Sequence, residues 1–317
     1  MMMRLQEHLA TLQEHAASQV EPEKFDAGRT IIEHVSNSSP EHPILQLPTI
    51  FGIDLSVTKH VLMLWIVATL LFVTITWTVR RYLRQDRMIP SGFMNAIETI
   101  VEWVRDAVVA PNIGKKWTNT WTPLVVTFFL FILTANAIGL VPIFETLGLI
   151  DHSVLHTGEH SFIKSLLHGG TTATANYNVT AGLATVTFFA IIFAGSLAHG
   201  FFTHWKNLVP HGLAAPLYII LIPIEILSMF VRPFALTMRL AANMTGGHIA
   251  ILAILSFVFL FAEMFRSALA GIGVGVVLSL PLAVGISGLE IIVILVQAYV
   301  FTLLTAVFIG MAINVHH

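Results

Sequence analysis

Residues 233–262 read PFALTMRLAANMTGGHIAILAILSFVFLFA, an apolar run long enough to cross a bilayer that holds one arginine, Arg239, and no acid. An arginine at bilayer depth costs at least about 2.5 to 3.5 kcal/mol, and it cannot shed its proton to escape that cost. Something outside this helix must use the charge. A structural partner, a substrate anion and a moving carboxylate on another subunit are the candidates.

The surrounding composition sets the class. Of 317 residues, 56% are hydrophobic and 11% charged, less than half the charged share of an ordinary soluble domain. The chain reads as an all-α polytopic membrane protein. It contains no cysteine, which excludes disulfides and thiol chemistry, and its formal charge of -2 gives no sign of a nucleic-acid partner. The N-terminus, MMMRLQEHLATLQEHAASQVEPEKFD, lacks the apolar core of a signal peptide, so the first membrane span is expected to do the targeting.

Hydropathy along the chain predicts two regions. Residues 1–60 form a polar, histidine-containing arm outside the cytoplasm, and 61–317 form a single membrane domain. About five crossings are expected, near 61–79, 122–144, 179–202, 217–262 and 267–313, the last two long and tilted as a hairpin. Arg80, Arg81, Arg84 and Arg87 follow the first crossing at once, and such a cluster marks a cytoplasmic end. The N-terminus is then outside and, after five crossings, the C-terminus is in the cytoplasm. Residues 92–110, GFMNAIETIVEWVRDAVVA, alternate apolar and charged positions at helical spacing and are too charged to span. They are expected to lie along the interface as an amphipathic helix.

Within the two long helices the polar residues fall into sets. Glu225, Arg232 and Arg239 are spaced by seven, which places them on one helical stripe within roughly 40°, with Ser228 and Asn243 on or near it. Glu225 lies about 21 Å along the axis from Arg239, too far to pair with it, and His248 lies about 13 Å beyond on the other side. The last helix runs the opposite way, carrying Glu290 and, seven residues on, Gln297. Antiparallel stacking brings Glu290 to the level of His248 and Gln297 to that of Arg239 or Asn243. One set, His248, Glu290, Gln297 and Asn243, therefore opens outward and another, Glu225 and Ser228, inward, with Arg239 between. Intramembrane ionisable groups point to ion or proton pathways, whereas amides also serve as interhelical hydrogen-bonding groups.

These residues carry a family resemblance. Pro223, Glu225, Ser228, Arg232 and Pro233, then ALTMRLAANMTGGH over 235–248, Glu290, and QAYVFTLLT over 297–305 resemble subunit a of the rotary F-type ATP synthase, in its Fo sector. Weaker echoes occur at Asn136 to Pro142 and at Asn176 to Thr180, and the likeness covers roughly residues 40–314. It implies that Arg239 is the stator arginine facing the ring of c subunits. Asn243, His248, Glu290 and Gln297 then map onto an outer aqueous half-channel, and Glu225 with Ser228 onto an inner one. The c-ring, the subunit b stalk, the rest of the ATP synthase and membrane lipid are the implied partners. The implied location is the inner membrane of a bacterium. The resemblance implies a non-catalytic chain of that complex, without a nucleotide site or cofactor of its own. Two departures stand out: histidine and acid are exchanged between the 248 and 290 positions relative to some members, and Asn176 replaces an aspartate.

A carboxyl in lipid is held protonated because desolvation disfavours its charged form, whereas beside a fixed guanidinium the ionised form is favoured. Arg239 could thus release a rotor proton to one half-channel, while its charge blocks direct passage between the two. A self-contained secondary transporter or channel, with Arg239 holding an anionic substrate, is the alternative; inverted repeats would mark it, and none is evident. A membrane scaffold whose buried charges only specify helix pairing is a third reading. His152, His156, Glu159 and His160 have metal-ligand spacing, but Gly158 and a loop setting argue against a metal. Gly271, Gly273 and Gly275 lie inside an apolar helix with no strand before them, which predicts close helix packing rather than phosphate binding.

Overall fold

The computed structural model describes residues 58–85, 89–140, 173–206 and 215–314, with residue 28 besides. Most of the 1–60 arm, the loop after the second crossing and the His152, His156 and His160 set lie outside the described residues. Among those described there is no strand. Helices run α1 (Lys59–Leu83), α2 (Phe93–Trp103), α3 (Ala110–Ile113), α4 (Thr118–Leu140), α5 (Tyr177–His199), α6 (Phe201–Lys206), α7 (Ala215–Met264), α8 (Ala268–Val274) and α9 (Leu280–Ile313). Five stretches are long and apolar enough to cross a membrane: His60–Leu83, Thr118–Leu140, Tyr177–His199, Tyr218–Met264 and Ala268–Ile313. The all-α polytopic fold expected from hydropathy is the one observed.

Local chemistry sets several of these boundaries. A π-helical stretch, Val104–Val109, joins α2 to α3, where Pro111 has no N–H to donate and its ring crowds the carbonyl one turn back. The widened turn accommodates that ring. Gly114 then takes φ 89°, which ends the helix and turns the chain into α4. Gly200, at φ 87°, likewise ends α5 at His199. Residues 201 and 202, read from hydropathy as the end of the third crossing, belong instead to the short helix α6.

Packing separates the described residues into two units, those between 58 and 250 together with those between 284 and 314, and residues 251–283. In the first, the amphipathic helix buries Val104, Val108, Val109 and Ile113 against α4 residues such as Phe128, Phe129 and Ile132 and α9 residues such as Phe301 and Ile309. Each such valine contributes about 1.5 to 3 kcal/mol when its alternative is water. The opposite side keeps Glu102 and Asp106 exposed, Asp106 accepting from Arg105 Nε at 2.7 Å. Trp103 sits 5.6 Å from both the Phe129 and Tyr299 rings, tying α2 to α4 and α9.

In the second unit, Ser267 caps α8 by accepting from Ala270 N, and Gly271 and Gly275 meet the preceding helix directly, whereas a Cβ on Gly273 would meet nothing within 4 Å. A Cβ on Gly271 would lie 2.6 Å from the Ala262 Cβ and 2.7 Å from the Val258 carbonyl oxygen. A Cβ on Gly275 would lie 3.0 Å from Val258. Small residues here let two helices approach closely, as membrane helices without water between them require.

Candidate functional site

Every polar residue singled out on the two long helices lies in the larger unit. α7 carries Glu225, Ser228, Arg239, Asn243 and His248, and runs helical through Pro223 and Pro233. Each proline removes a donor from the helix; Thr237 Oγ1 donates back to the Pro233 carbonyl at 3.0 Å, adding a bond one turn on. α9 carries Glu290 and Gln297.

One hydrogen bond fixes the register of these helices. Asn243 Nδ2 donates to Gln297 Oε1 at 2.8 Å. Gln297 is 3% exposed and Glu290 5% exposed, so both point into the packing between helices. A Cβ on Gly247 would lie 2.9 Å from Glu290 Oε1, so the lack of a side chain at 247 makes room for the carboxyl. His248, half-buried, is the next residue on α7. Asn243, Glu290 and Gln297 thus lie along one stretch of the α7 and α9 pair, with His248 at the same level of α7. Both Glu290 oxygens are buried, and neither has a hydrogen-bond partner among the described residues.

Arg239 lies one helical turn before Asn243 and is exposed. It takes no hydrogen bond or ion pair among the described residues. The guanidinium has no user within its own chain there, while Leu236 and Leu240 beside it are buried at 1% and 0% exposure. The arginine is therefore carried on the side of α7 turned away from the packed core.

Toward the start of α7 the arrangement differs. Arg232 Nη2 donates to Glu225 Oε1 at 3.4 Å, two turns away on the same stripe. The Arg232 guanidinium also lies over the Phe308 ring, 5.5 Å from its centroid, which anchors it to α9. Ser228 is half-buried between them in sequence. Reading the sequence placed Glu225 and Arg232 on one stripe but did not pair them; the seven-residue spacing was the available signal.

Further polar groups join this region without having been singled out as site residues. Thr245 Oγ1 donates to the Ala175 carbonyl at 3.3 Å, and Thr174 Oγ1 donates to Oδ1 of the fully buried Asn136. A 3-10 turn, Ala173–Ala175, is thereby tied to both α4 and α7. Asn176 caps α5, its Oδ1 accepting from Asn178 N at 2.8 Å. Threonines are too frequent in this chain for their spacing to have announced these bonds. Among the described residues no three His, Asp or Glu side chains cluster as a metal site.

At the far end of α5, His204 on α6 turns back onto the helix it follows. It is 5% exposed, and a Cβ on Gly195 would fall on its imidazole. Burial, with His199 nearby, holds His204 below the ordinary histidine value. His199 Nε2 donates to the Ile313 carbonyl at 2.7 Å.

Residues 61–310 match the family model described as ATP synthase A chain. The chain is 37% identical over 294 residues to ATP synthase subunit a 2 of Chlorobium luteolum, an alignment covering 90% of this chain and 76% of that one. It is 36% identical over 294 residues to ATP synthase subunit a of Pelodictyon phaeoclathratiforme, with the same coverage of 90% and 76%. Against ATP synthase subunit a 2 of Prosthecochloris aestuarii it is 36% identical over 304 residues, covering 94% and 83%. The matched span contains the whole arrangement just described, from Glu225 and Arg232 through Arg239 and Asn243 to Glu290 and Gln297, and by that extent of likeness this chain belongs to the ATP synthase subunit a family.

Proposed function

We propose that this chain is the stator subunit a of an F-type ATP synthase, in which two offset half-channels carry protons to and from carboxylates on a rotating c-ring. The observation that carries the proposal is the contrast between Arg239 and its flanks. Arg239 is exposed and bonds nothing among the described residues, whereas polar groups on either side are held in place by this chain. A charge that costs several kcal/mol in lipid, and that the fold presents outward, is suited to a partner that comes and goes. The partner proposed is the c-ring carboxylate.

Asn243, His248, Glu290 and Gln297 form the outer half-channel in this reading. Glu290 exchanges the proton there, and the amides of Asn243 and Gln297 hold α7 and α9 in register. Glu225 and Ser228 form the inner half-channel, with Arg232 beside Glu225. Arg239 stands between the two sets. Its guanidinium favours the ionised form of an arriving carboxylate, which releases its proton to one side, and reprotonation follows from the other. Its fixed positive charge also repels a proton crossing directly, so ion flow is routed through rotation and coupled to ATP synthesis.

The remaining assignments follow the same reading. A single membrane domain over 61–317 lies in the inner membrane of a bacterium, preceded by an extracytoplasmic arm. Arg80, Arg81 and Arg84 at the end of α1 support a cytoplasmic loop there and an outside N-terminus. The subunit b stalk completes the stator.

The test is Arg239→Ala in the assembled complex. ATP-driven proton pumping in inverted vesicles is expected to vanish while all subunits co-purify. Normal pumping by the variant would overturn the proposal. Transport of an ion or solute by the chain alone in liposomes would favour a self-contained carrier instead.

A further inference from the structure

Away from Arg239, at the boundary where α1 ends and α2 begins, lies a hollow of about 320 Å³. Trp77, Arg81 and Gln85 from the α1 side and Ser91, Gly92 and Phe93 from the α2 side are among its walls. The volume is at the lower end of small-molecule sites, enough for a compact polar group. The sign of the hollow is unambiguous. Residues 59–85 and 89–97 contain no acid, and the sequence between 80 and 87 places four arginines against one acid, Asp86.

Arg81 is the residue that gives the hollow its chemistry. Its guanidinium carbon lies 5.3 Å from the centroid of the Trp77 ring, a cation–π contact that orients the planar group. A guanidinium held on an aromatic face keeps its N–H fork for an oxyanion, which it binds through two parallel hydrogen bonds. The Thr78 hydroxyl is already committed to the Thr74 carbonyl at 2.7 Å. Ser91 and Gln85 add neutral hydrogen-bonding groups to the same walls. The first turn of α2 carries no acidic residue and no side-chain cap at Gly92, so nothing in that turn competes for an incoming anion.

The surroundings distinguish a lipid from a free ion. Trp77 and Phe93 are each 59% exposed, so apolar rings stand at the rim of a cationic hollow. Trp77 lies one helical turn, about 6 Å, before Arg81, toward the middle of the candidate span His60–Leu83. A phospholipid has that same layout: an anionic phosphodiester at the boundary and hydrocarbon deeper in. Aromatic and basic residues at a span's end are where such headgroups lie.

We infer that this hollow binds the phosphodiester headgroup of an anionic phospholipid, with Arg81 on the phosphate and its acyl chains along Trp77 and Phe93. The site would fix a lipid at the junction of the first span and the amphipathic helix, on the opposite side of the molecule's task from proton exchange. It is independent of the half-channel assignment.

The intact complex, carried in phosphatidylcholine nanodiscs, tests this with a trace of phosphatidylglycerol bearing a photoreactive acyl chain. After illumination and digestion, label is expected on the peptide spanning residues 77–94. Arg81→Gln is expected to lower that label at least about fivefold by removing the fork, whereas Arg84→Gln, outside the hollow, leaves it within about twofold. Arg81→Lys, which keeps the charge and loses the fork, should fall between and serves if the glutamine variant does not assemble. Equal labelling in Arg81→Gln, or equal labelling by a phosphatidylcholine probe, overturns the inference. Loss of label on adding millimolar inorganic phosphate also overturns it, by assigning the hollow to free phosphate.

Discussion

α9 meets its neighbours in opposite ways at its two ends. Near Ile313 the contacts are backbone-close: a Cβ on Gly310 would fall on the Asn112 carbonyl, and Asn314 Nδ2 donates to the Ile113 carbonyl at 3.3 Å. His199 bonds the Ile313 carbonyl from α5, and Ile309 and Ile313 are buried. Near Glu290 the contacts run through polar side chains instead, with Gln297 bonded to Asn243 and a buried carboxyl without a hydrogen-bond partner among the described residues. One end locks helices together with little freedom. The other holds polar side chains in a frame that the first end keeps still. The stator role proposed above would need both, since a proton would change hands while the helices that carry it resist a turning rotor.

That comparison can be broken at either end. Gly310→Ala is expected to have the largest effect, because the atom it would strike is backbone and cannot swing aside. Overpacking of this kind costs about 1 to 3 kcal/mol, and this site should lie toward the top of that range. Yield of assembled complex and its melting temperature are the measurements, and normal values for both would mean that the Ile313 end is not tightly packed.

Glu290→Gln probes the other end with the opposite signature. The amide keeps the shape, so assembly is expected to persist, while proton-driven ATP synthesis slows by about a hundredfold, the low side of what loss of a proton-transfer group causes. The pH–rate profile should change with it. An unaltered profile would remove Glu290 from the pathway.

His204 gives a smaller, pH-dependent effect near the locked end. Burial holds its folded-state value below the ordinary one of about 6.5, so the unfolded segment takes up a proton first as pH falls. No penalty applies above about pH 6.5, and seating of α6 weakens progressively as pH falls from there toward the lowered folded value. Hydrogen exchange at residues 200–206, corrected for intrinsic rates, should speed up between pH 7.5 and 5.5. In His204→Gln that acceleration should disappear; if it remains, the imidazole is not its cause.

Much of this was readable before any coordinates. Val61 to Val79 carries no charge over a bilayer's worth of residues, and that alone places α1. The polar sets on α7 and α9 followed from helical rotation, and the levels of Gln297 and Asn243 from antiparallel stacking. What stayed hidden depended on neighbours distant in sequence or on local backbone detail. Arg232 leans to Glu225 partly because Phe308 of α9 supports it. The end of α5 at Gly200 is set by a positive φ that hydropathy does not register. Asn136 of α4 and Thr245 of α7 reach one short turn from separate directions, which no periodicity encodes.

The central claim is that Arg239 faces a moving partner. The chain has no cysteine, so single cysteines can be introduced cleanly at Ala235 and Ala242, both exposed and flanking Arg239 on α7. With a second cysteine beside the carboxylate of the c subunit in the assembled complex, oxidation should join these positions to c and stop rotation. A cysteine at Val186 on α5 should not join. Cross-linking at neither Ala235 nor Ala242, or equal cross-linking from Val186, would contradict the account.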